Sequence, residues 1–318
     1  SKQANSWEQR VNALDLPLAY NPKLGFLASS YNKPTVAKHR IGVLFSSNDR
    51  IVRVRSLLEK KERLSLTDLR QIQRDVMSPL SFELKKIIIN YFEKNSLHEN
   101  LSLYQKNQWQ VLADWSGEYK QKSRGALLFQ LLLYHYVNER YQGEYGETGM
   151  MFLYNFEKIL SLVRLQLQKA GPQQSKLWQK AWRKAVADSR DFDTWGQMHR
   201  LRVSHPFAFL PWWGERYQFA DWPSGGGRST LMKRAHSLTN KKHNTSFGAN
   251  ARHISIVRNP DENYFLLFGG QDGWLNSQDF MDQAKMWRQG RYIYVPLRLN
   301  AVAQWASYTT ELKASGKH

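Results

Sequence analysis

The 318 residues carry 46 Lys and Arg against 27 Asp and Glu, a net charge of +19, with 42% hydrophobic residues and 12 Trp. The chain has no cysteine, which excludes a disulfide framework, a thiolate metal site and a cysteine nucleophile. The length allows one large domain or two ordinary ones, and the apolar fraction is enough to build a core.

Ser1-Lys2-Gln3-Ala4-Asn5 leads into mixed polar sequence, so no secretory leader is predicted there, and the missing initiating Met reads as a processed chain or a fragment. The first 45 residues read as irregular, with Pro17, Pro22 and Pro34 and short extended pieces. Asn48-Asp49 is predicted to cap a helix whose Ile51, Val54, Leu57 and Leu58 recur at helical spacing. Ser65-Leu66-Thr67-Asp68 resembles a capping box and opens a second helix with Leu69, Ile72 and Val76 on one face. Pro79 precedes a third helix through Leu84, Ile87, Ile88, Tyr91 and Phe92. Further helices are predicted over 104–115, 123–140, 148–169 and 174–189, with Gly171-Pro172 between the last two. The apolar run Leu127 to Val137 contains Gln130 and His135 and is short of the roughly 20 residues of a membrane span, so it reads as a buried helix.

The composition changes near residue 190. Trp195 to Trp222 is rich in aromatics, His and Pro, and Pro223-Ser224-Gly225-Gly226-Gly227 reads as a flexible loop. Arg252–Val257 and Tyr264–Phe268 read as strands joined by the turn residues Asn259-Pro260-Asp261-Glu262-Asn263, a hairpin. A short helix is predicted from Asp279 to Gln289, stopped by Gly290, and a last one over 299–312. Helices followed by a few strands make an α+β chain, with a mainly helical region over 1–190 and a strand-containing region over 191–318.

The arrangement of the basic residues argues against a nucleic-acid surface. Glu59-Lys60-Lys61-Glu62-Arg63 interleaves both signs, Lys85-Lys86 shares its helix with Glu83, and Lys241-Lys242-His243 is a short loop cluster. His199 and His205 do not form a metal pair, because their spacing has no helical ligand geometry and no carboxylate pattern completes a site; they read as packed histidines. Gly225-Gly226-Gly227-Arg228-Ser229-Thr230 lacks the Gly-Lys-Ser/Thr ending of a phosphate loop.

Three stretches carry a family resemblance. Gly269-Gly270-Gln271-Asp272-Gly273, the Asp282-Gln283 pair, and Trp287-Arg288-Gln289-Gly290-Arg291-Tyr292 form the first. The second is Asn21-Pro22-Lys23-Leu24-Gly25-Phe26-Leu27-Ala28-Ser29-Ser30-Tyr31-Asn32-Lys33-Pro34, and the third is Asn48-Asp49-Arg50-Ile51. Together they closely resemble the penicillin acylase (penicillin amidase) family of N-terminal-nucleophile hydrolases, over nearly the whole chain but only its C-terminal part. Trp195-Gly196-x-x-His199 and the Gly225–Thr230 loop are similar to further motifs of that family.

The resemblance implies an incomplete piece of an αββα sandwich from an enzyme that cleaves linear amides of N-acyl compounds. Acylated β-lactams, acyl-amino acids and acyl-homoserine lactones are the implied substrates. The nucleophilic Ser of such an enzyme lies upstream, on the N-terminal β segment, beside an α chain, so this chain alone is expected to be inactive. Ser1 itself is followed by sequence typical of mid-chain, which argues against a catalytic role. The family's oxyanion-hole Asn aligns with Tyr31, with Asn32 one place later, and the active-site Arg aligns with Arg50. No cofactor is implied, and the family's calcium site reads as lost, because 35–47 contains Lys38, His39 and Arg40 but no acid. The family resemblance also implies a periplasmic or secreted protein. The alternatives are a non-catalytic remnant or interaction protein, favoured by Tyr31 and the missing acids, and a basic nucleic-acid binder.

Overall fold

The computed structural model describes residues 11–34, 38–169 and 171–313. Ser1 lies outside them. Before residue 49 the described chain holds a single 3-10 turn, Ala13–Asp15. The helices then follow as α1 (Asp49–Leu58), α2 (Leu66–Gln73), α3 (Pro79–Lys94), α4 (Leu103–Ala113), α5 (Arg124–Asn155), α6 (Ile159–Gln168), α7 (Pro172–Asp188) and the single turn α8 (Trp195–Met198). Strands β1 (His199–Ser204), β2 (Gln218–Pro223), β3 (Arg234–Ala235), β4 (His243–Asn244), β5 (Phe247–Gly248), β6 (Arg252–Ser255) and β7 (Asn263–Leu266) come next. Helix α9 (Asp282–Gln289), strand β8 (Ile293–Tyr294) and helix α10 (Leu299–Ala303) close the order. The chain is thus α+β, as its sequence predicts, and contacts divide it into two units: 1–64 with 75–248, and 65–74 with 249–318.

In the larger unit α5 is the central helix. Its residues from Gly125 to Leu133 are buried on every face, the signature of a helix with neighbours all round. Helices α4, α6 and α7 pack against it, and α3 packs on α4 and α6. Most of the large aromatics serve this core. Phe92 stacks on Trp109 at 4.2 Å between centroids, Trp109 meets Trp182 edge-on at 4.9 Å, and Tyr136 lies flat on Trp178 at 3.8 Å. Ser78 caps α3 by accepting from the Ser81 amide, and Pro79 fills the first helical position, where no amide is needed.

Several boundaries differ from the sequence reading. Asn48 makes no side-chain cap bond at the start of α1; Asp49 supplies the acid of its first turn. The predicted gap between 140 and 148 is helical except for Gly146, whose φ of 60° kinks α5 there. The predicted helix over 148–169 is divided, because α5 ends at Asn155 and α6 begins at Ile159.

The aromatic stretch from Trp195 to Trp222 is a hairpin. β1 and β2 pair antiparallel, with Leu201 opposite Trp222, and β4 adds to β1 in parallel, with His199 beside His243. The glycine loop that follows is buried, not flexible. Gly226 donates its amide to the Tyr119 carbonyl at 2.7 Å, and its own carbonyl accepts from the Trp195 indole at 2.9 Å. Its φ is +81°, and a Cβ there would stand 2.5 Å from the Met232 carbonyl oxygen, so only glycine fits.

In the smaller unit β6 and β7 form the predicted hairpin, and β8 extends it antiparallel. The capping box of α2 is present in both directions. The Arg70 guanidinium sits 4.9 Å from the Tyr264 ring centroid and 5.1 Å from that of Tyr292. The Trp287 indole donates to the Asn250 carbonyl, and Arg252 covers its ring at 4.0 Å. Gly290 ends α9 in the left-handed conformation at φ 73°, as expected of a helix C-terminus. The last helix is only Leu299–Ala303, against 299–312 predicted. None of its residues is buried, and Tyr308 and Leu312 are exposed, so no packed face extends it.

Replacing Trp178 by Ala removes a fully buried ring and its stack on Tyr136. Urea denaturation is expected to show a loss of about 3–5 kcal/mol. The same change at the exposed Trp274 is expected to stay within about 0.5 kcal/mol of wild type.

Candidate functional site

The three residues singled out by sequence lie in the larger unit. Tyr31 has φ +59°, a left-handed conformation that costs a bulky residue about 1–2 kcal/mol. Its carbonyl accepts from the Ser46 amide at 3.0 Å, which anchors it, while its side chain is 77% exposed. Strain of this kind collects where geometry is imposed for use. Asn32 is turned back on its own loop. Its Oδ1 accepts from the Ser30 amide at 3.1 Å and its Nδ2 donates to the Lys33 carbonyl at 3.3 Å.

Arg50 stands in the first turn of α1. Burial pushes its guanidinium below the usual arginine range, and Glu157 and Tyr31 act against that shift. Its buried Nε has no hydrogen-bond partner among the described residues. The structure therefore brings Tyr31 and Arg50 into one electrostatic neighbourhood and leaves the Asn32 amide engaged locally.

Residues that the sequence reading missed complete this corner. Asp49 is buried, and desolvation raises its carboxyl to about 6, although Ser229 and Ser47 hydrogen-bond it and pull the other way. Ser47 Oγ reaches Asp49 Oδ2 at 3.5 Å. Arg228, beside Ser229, donates to the carbonyls of Tyr154 and His236, and burial lowers its pKa. Glu157 favours the charged forms of both Arg50 and Arg228, and it pairs with Lys233 at 3.1 Å. The Gly225–Thr230 loop was visible in sequence. That its Ser229 meets Asp49 was not, because 180 residues separate them.

A cleft of about 920 Å³ opens beside this corner. Lys33, Pro34, Phe45, Asn48 and Asp49 form one side, and Leu80, Glu83, Lys158 and Arg164 the other. Its lining includes five Lys or Arg, at 33, 38, 40, 158 and 164, against Asp49 and Glu83, together with apolar Ile41, Val43, Phe45, Val52 and Leu80. Such a surface suits an anionic molecule with an apolar portion.

The sequence profile of the penicillin amidase family matches residues 1–304. The chain belongs to the penicillin amidase family. A solved structure of thermostable penicillin G acylase from Alcaligenes faecalis is similar, with a TM-score of 0.54 at 15% sequence identity. The match covers 95% of this chain and 59% of that one, so the chain spans well under two thirds of the acylase it resembles. At that identity the likeness establishes the fold. No curated protein sequence matches the chain. In this member of the penicillin amidase family Tyr31 holds a left-handed conformation, and the side chain of its neighbour Asn32 is hydrogen-bonded within its own loop. No described helix is long and apolar enough to cross a membrane.

Asp49 has a folded pKa of about 6 against 3.8 in the unfolded chain, so the folded state holds its proton more tightly. The stability from this group is full below about pH 4, falls as pH rises toward about 6, and is flat above that. Asp49→Asn removes that fall. Chemical denaturation across this interval is expected to show wild type losing up to about 3 kcal/mol relative to the variant. Parallel pH curves would refute the raised carboxyl.

Proposed function

We propose that this chain forms one wall of an amide hydrolase that cleaves linear N-acyl compounds by acyl transfer to a serine hydroxyl carried on polypeptide other than these 318 residues. The observation that carries the reading is the corner where Tyr31 and the desolvated Arg50 stand beside Asp49, which lines the cleft, in a chain whose family profile spans residues 1–304. Attack on an amide carbonyl puts negative charge on its oxygen, and a preorganised donor in a dry site lowers that barrier. The Tyr31 hydroxyl, exposed in this chain, takes the donor role in this reading once the remaining polypeptide covers it, and Arg50 holds Tyr31 and the substrate in place. The cation-rich lining of the cleft supports an acyl compound whose amine half carries a carboxylate, as acylated β-lactams and acyl-amino acids do. Exposed Leu14, Leu18, Tyr20, Leu24, Leu27 and Leu44 support further polypeptide lying along the N-terminal segment.

A second reading has a specific observation behind it. With the Asn32 side chain folded back onto the Ser30 amide and the Lys33 carbonyl, it is turned toward its own loop, which fits a relative that binds N-acyl compounds without cleaving them.

One experiment separates the two. The protein is produced with the residues encoded immediately upstream and assayed on a chromogenic N-acyl anilide. Turnover is expected, and Tyr31→Phe should lower kcat by about 100- to 1000-fold, the usual loss for one oxyanion donor. The 318-residue chain alone is expected to be inert. Cleavage by that chain alone, abolished by blocking the Ser1 amine, would overturn the proposal. Binding without turnover by the longer protein would establish the second reading instead.

A further inference from the structure

Three histidines converge in the larger unit, away from the Tyr31–Arg50 corner. His199 opens β1, His243 opens the parallel strand β4 directly beside it, and His236 follows β3. Their ring centroids form a nearly even triangle with sides of 5.0, 5.0 and 4.6 Å. One ring nitrogen of each lies within 4.8 Å of the others. His199 and His236 are buried and His243 is half-buried. This is not the His199–His205 pair weighed from sequence. His205 Nδ1 instead accepts from the Phe207 amide and caps a 3-10 turn.

The outward hydrogen bonds set the tautomers. His243 Nδ1 donates to the Lys241 carbonyl at 3.0 Å, so its Nε2 carries a lone pair, and that atom stands 2.9 Å from His199 Nδ1. His236 Nδ1 donates to the Ser237 carbonyl at 2.8 Å, which leaves Nε2 as its lone-pair nitrogen. His199 Nδ1 faces the triangle and, without a metal, donates to that His243 lone pair; its Nε2, 3.5 Å from Thr245 Oγ1, takes the proton when Nδ1 binds an ion. Each ring thus has its second nitrogen tied to a carbonyl or hydroxyl, the arrangement that orients histidine ligands on a metal. Trp195 stacks on His199 at 4.6 Å and reaches the other two rings at 5.2 and 5.6 Å, a rigid apolar backing.

We propose that His199, His236 and His243 bind a zinc-class divalent ion that fastens β1, β4 and the turn after β3 together. A tetrahedral ion with Zn–N bonds of about 2.0–2.1 Å sets its ligand nitrogens about 3.4 Å apart. The observed range, from 2.9 Å for His199–His243 up to 4.8 Å, brackets that spacing. Three imidazoles without a carboxylate select against calcium and magnesium and suit zinc, copper or nickel. Arg228 and Arg234 place positive charge near His236 and His199, so the fourth position takes hydroxide or a small anion.

The test uses the full chain, stripped with a chelator and titrated with Zn²⁺ or Co²⁺. One ion per chain should bind, with the visible absorption of four-coordinate Co²⁺ and a higher melting temperature in Zn²⁺. His243→Gln should weaken binding by more than about 100-fold, beyond what the loss of an outer partner alone causes. Thr245→Val should weaken it by about 10- to 100-fold, and His205→Gln should leave it unchanged. Failure to retain one ion per chain, or wild-type binding by His243→Gln, would overturn the assignment, whatever the outcome of amide-hydrolysis assays.

Discussion

The backbone of Gly226 is the joint on which the larger unit depends. Its amide is held by the Tyr119 carbonyl and its carbonyl by the Trp195 indole. Tyr119 faces the helical core as well: its hydroxyl accepts from Gln130 at 2.7 Å and lies 3.0 Å from Ser81 Oγ. Trp195 continues in the other direction, where Gly196 donates to the Gln121 carbonyl and the Trp195 ring stacks on His199. Helix core, glycine loop and β1 are thus joined through hydrogen bonds that water does not reach, where each unmade bond costs most. Two distant features inherit their placement from this joint. One is Ser229 against Asp49, the other the histidine triangle.

The corner at the start of α1 is hard to explain by stability alone. Asp49 and Arg50 are adjacent and opposite in charge, yet they do not pair. Consecutive helical residues face different directions, so Asp49 turns to Ser47 and Ser229 while Arg50 turns to Tyr31 and Glu157. Each is desolvated without the close partner that would offset the loss. Desolvated ionisable groups beside a cleft make this corner the candidate site of the larger unit. The contrast with Arg53 is instructive. One turn along, it makes a two-point pair with Asp75 at 2.6 and 3.0 Å, and it is raised where Arg50 is lowered.

Local signals in the sequence were readable wherever the responsible atoms are close in the chain. The Ser65–Asp68 capping box, Pro79 at the head of α3, the 252–266 hairpin and the Gly290 stop all depend on neighbours within a few residues or on one strand pair. What was missed depends on separation. His199, His236 and His243 meet only because β4 lies parallel to β1, a pairing with no sequence signature. The Gly225–Gly227 loop resembled a linker because glycine serves both flexible loops and close backbone contacts, and only the Tyr119 and Trp195 bonds distinguish the two. Of the candidate site, Arg50 and Tyr31 could be singled out from their motifs as candidates, whereas Asp49, Glu157, Arg228 and Ser229 needed the fold to bring them together.

The stretch that resembles the family most closely turns out to be architectural. Gly270 has no room for a Cβ, which would fall 1.7 Å from the Asp279 carbonyl oxygen, and Gln271 donates its amide to that same oxygen. Gln283 accepts from the Leu267 amide, Trp287 packs edge-on against Phe268, and Gly290 turns the chain where a side chain would strike Arg74. Gly270 and Gln271 hold the turn after β7 against Asp279, Gln283 and Trp287 fasten α9 to the end of β7, and Gly290 ends the helix. The residues of this signature are therefore distinct from the pair that the proposed hydrolysis invokes, the left-handed Tyr31 and the desolvated Arg50, which stand in the larger unit.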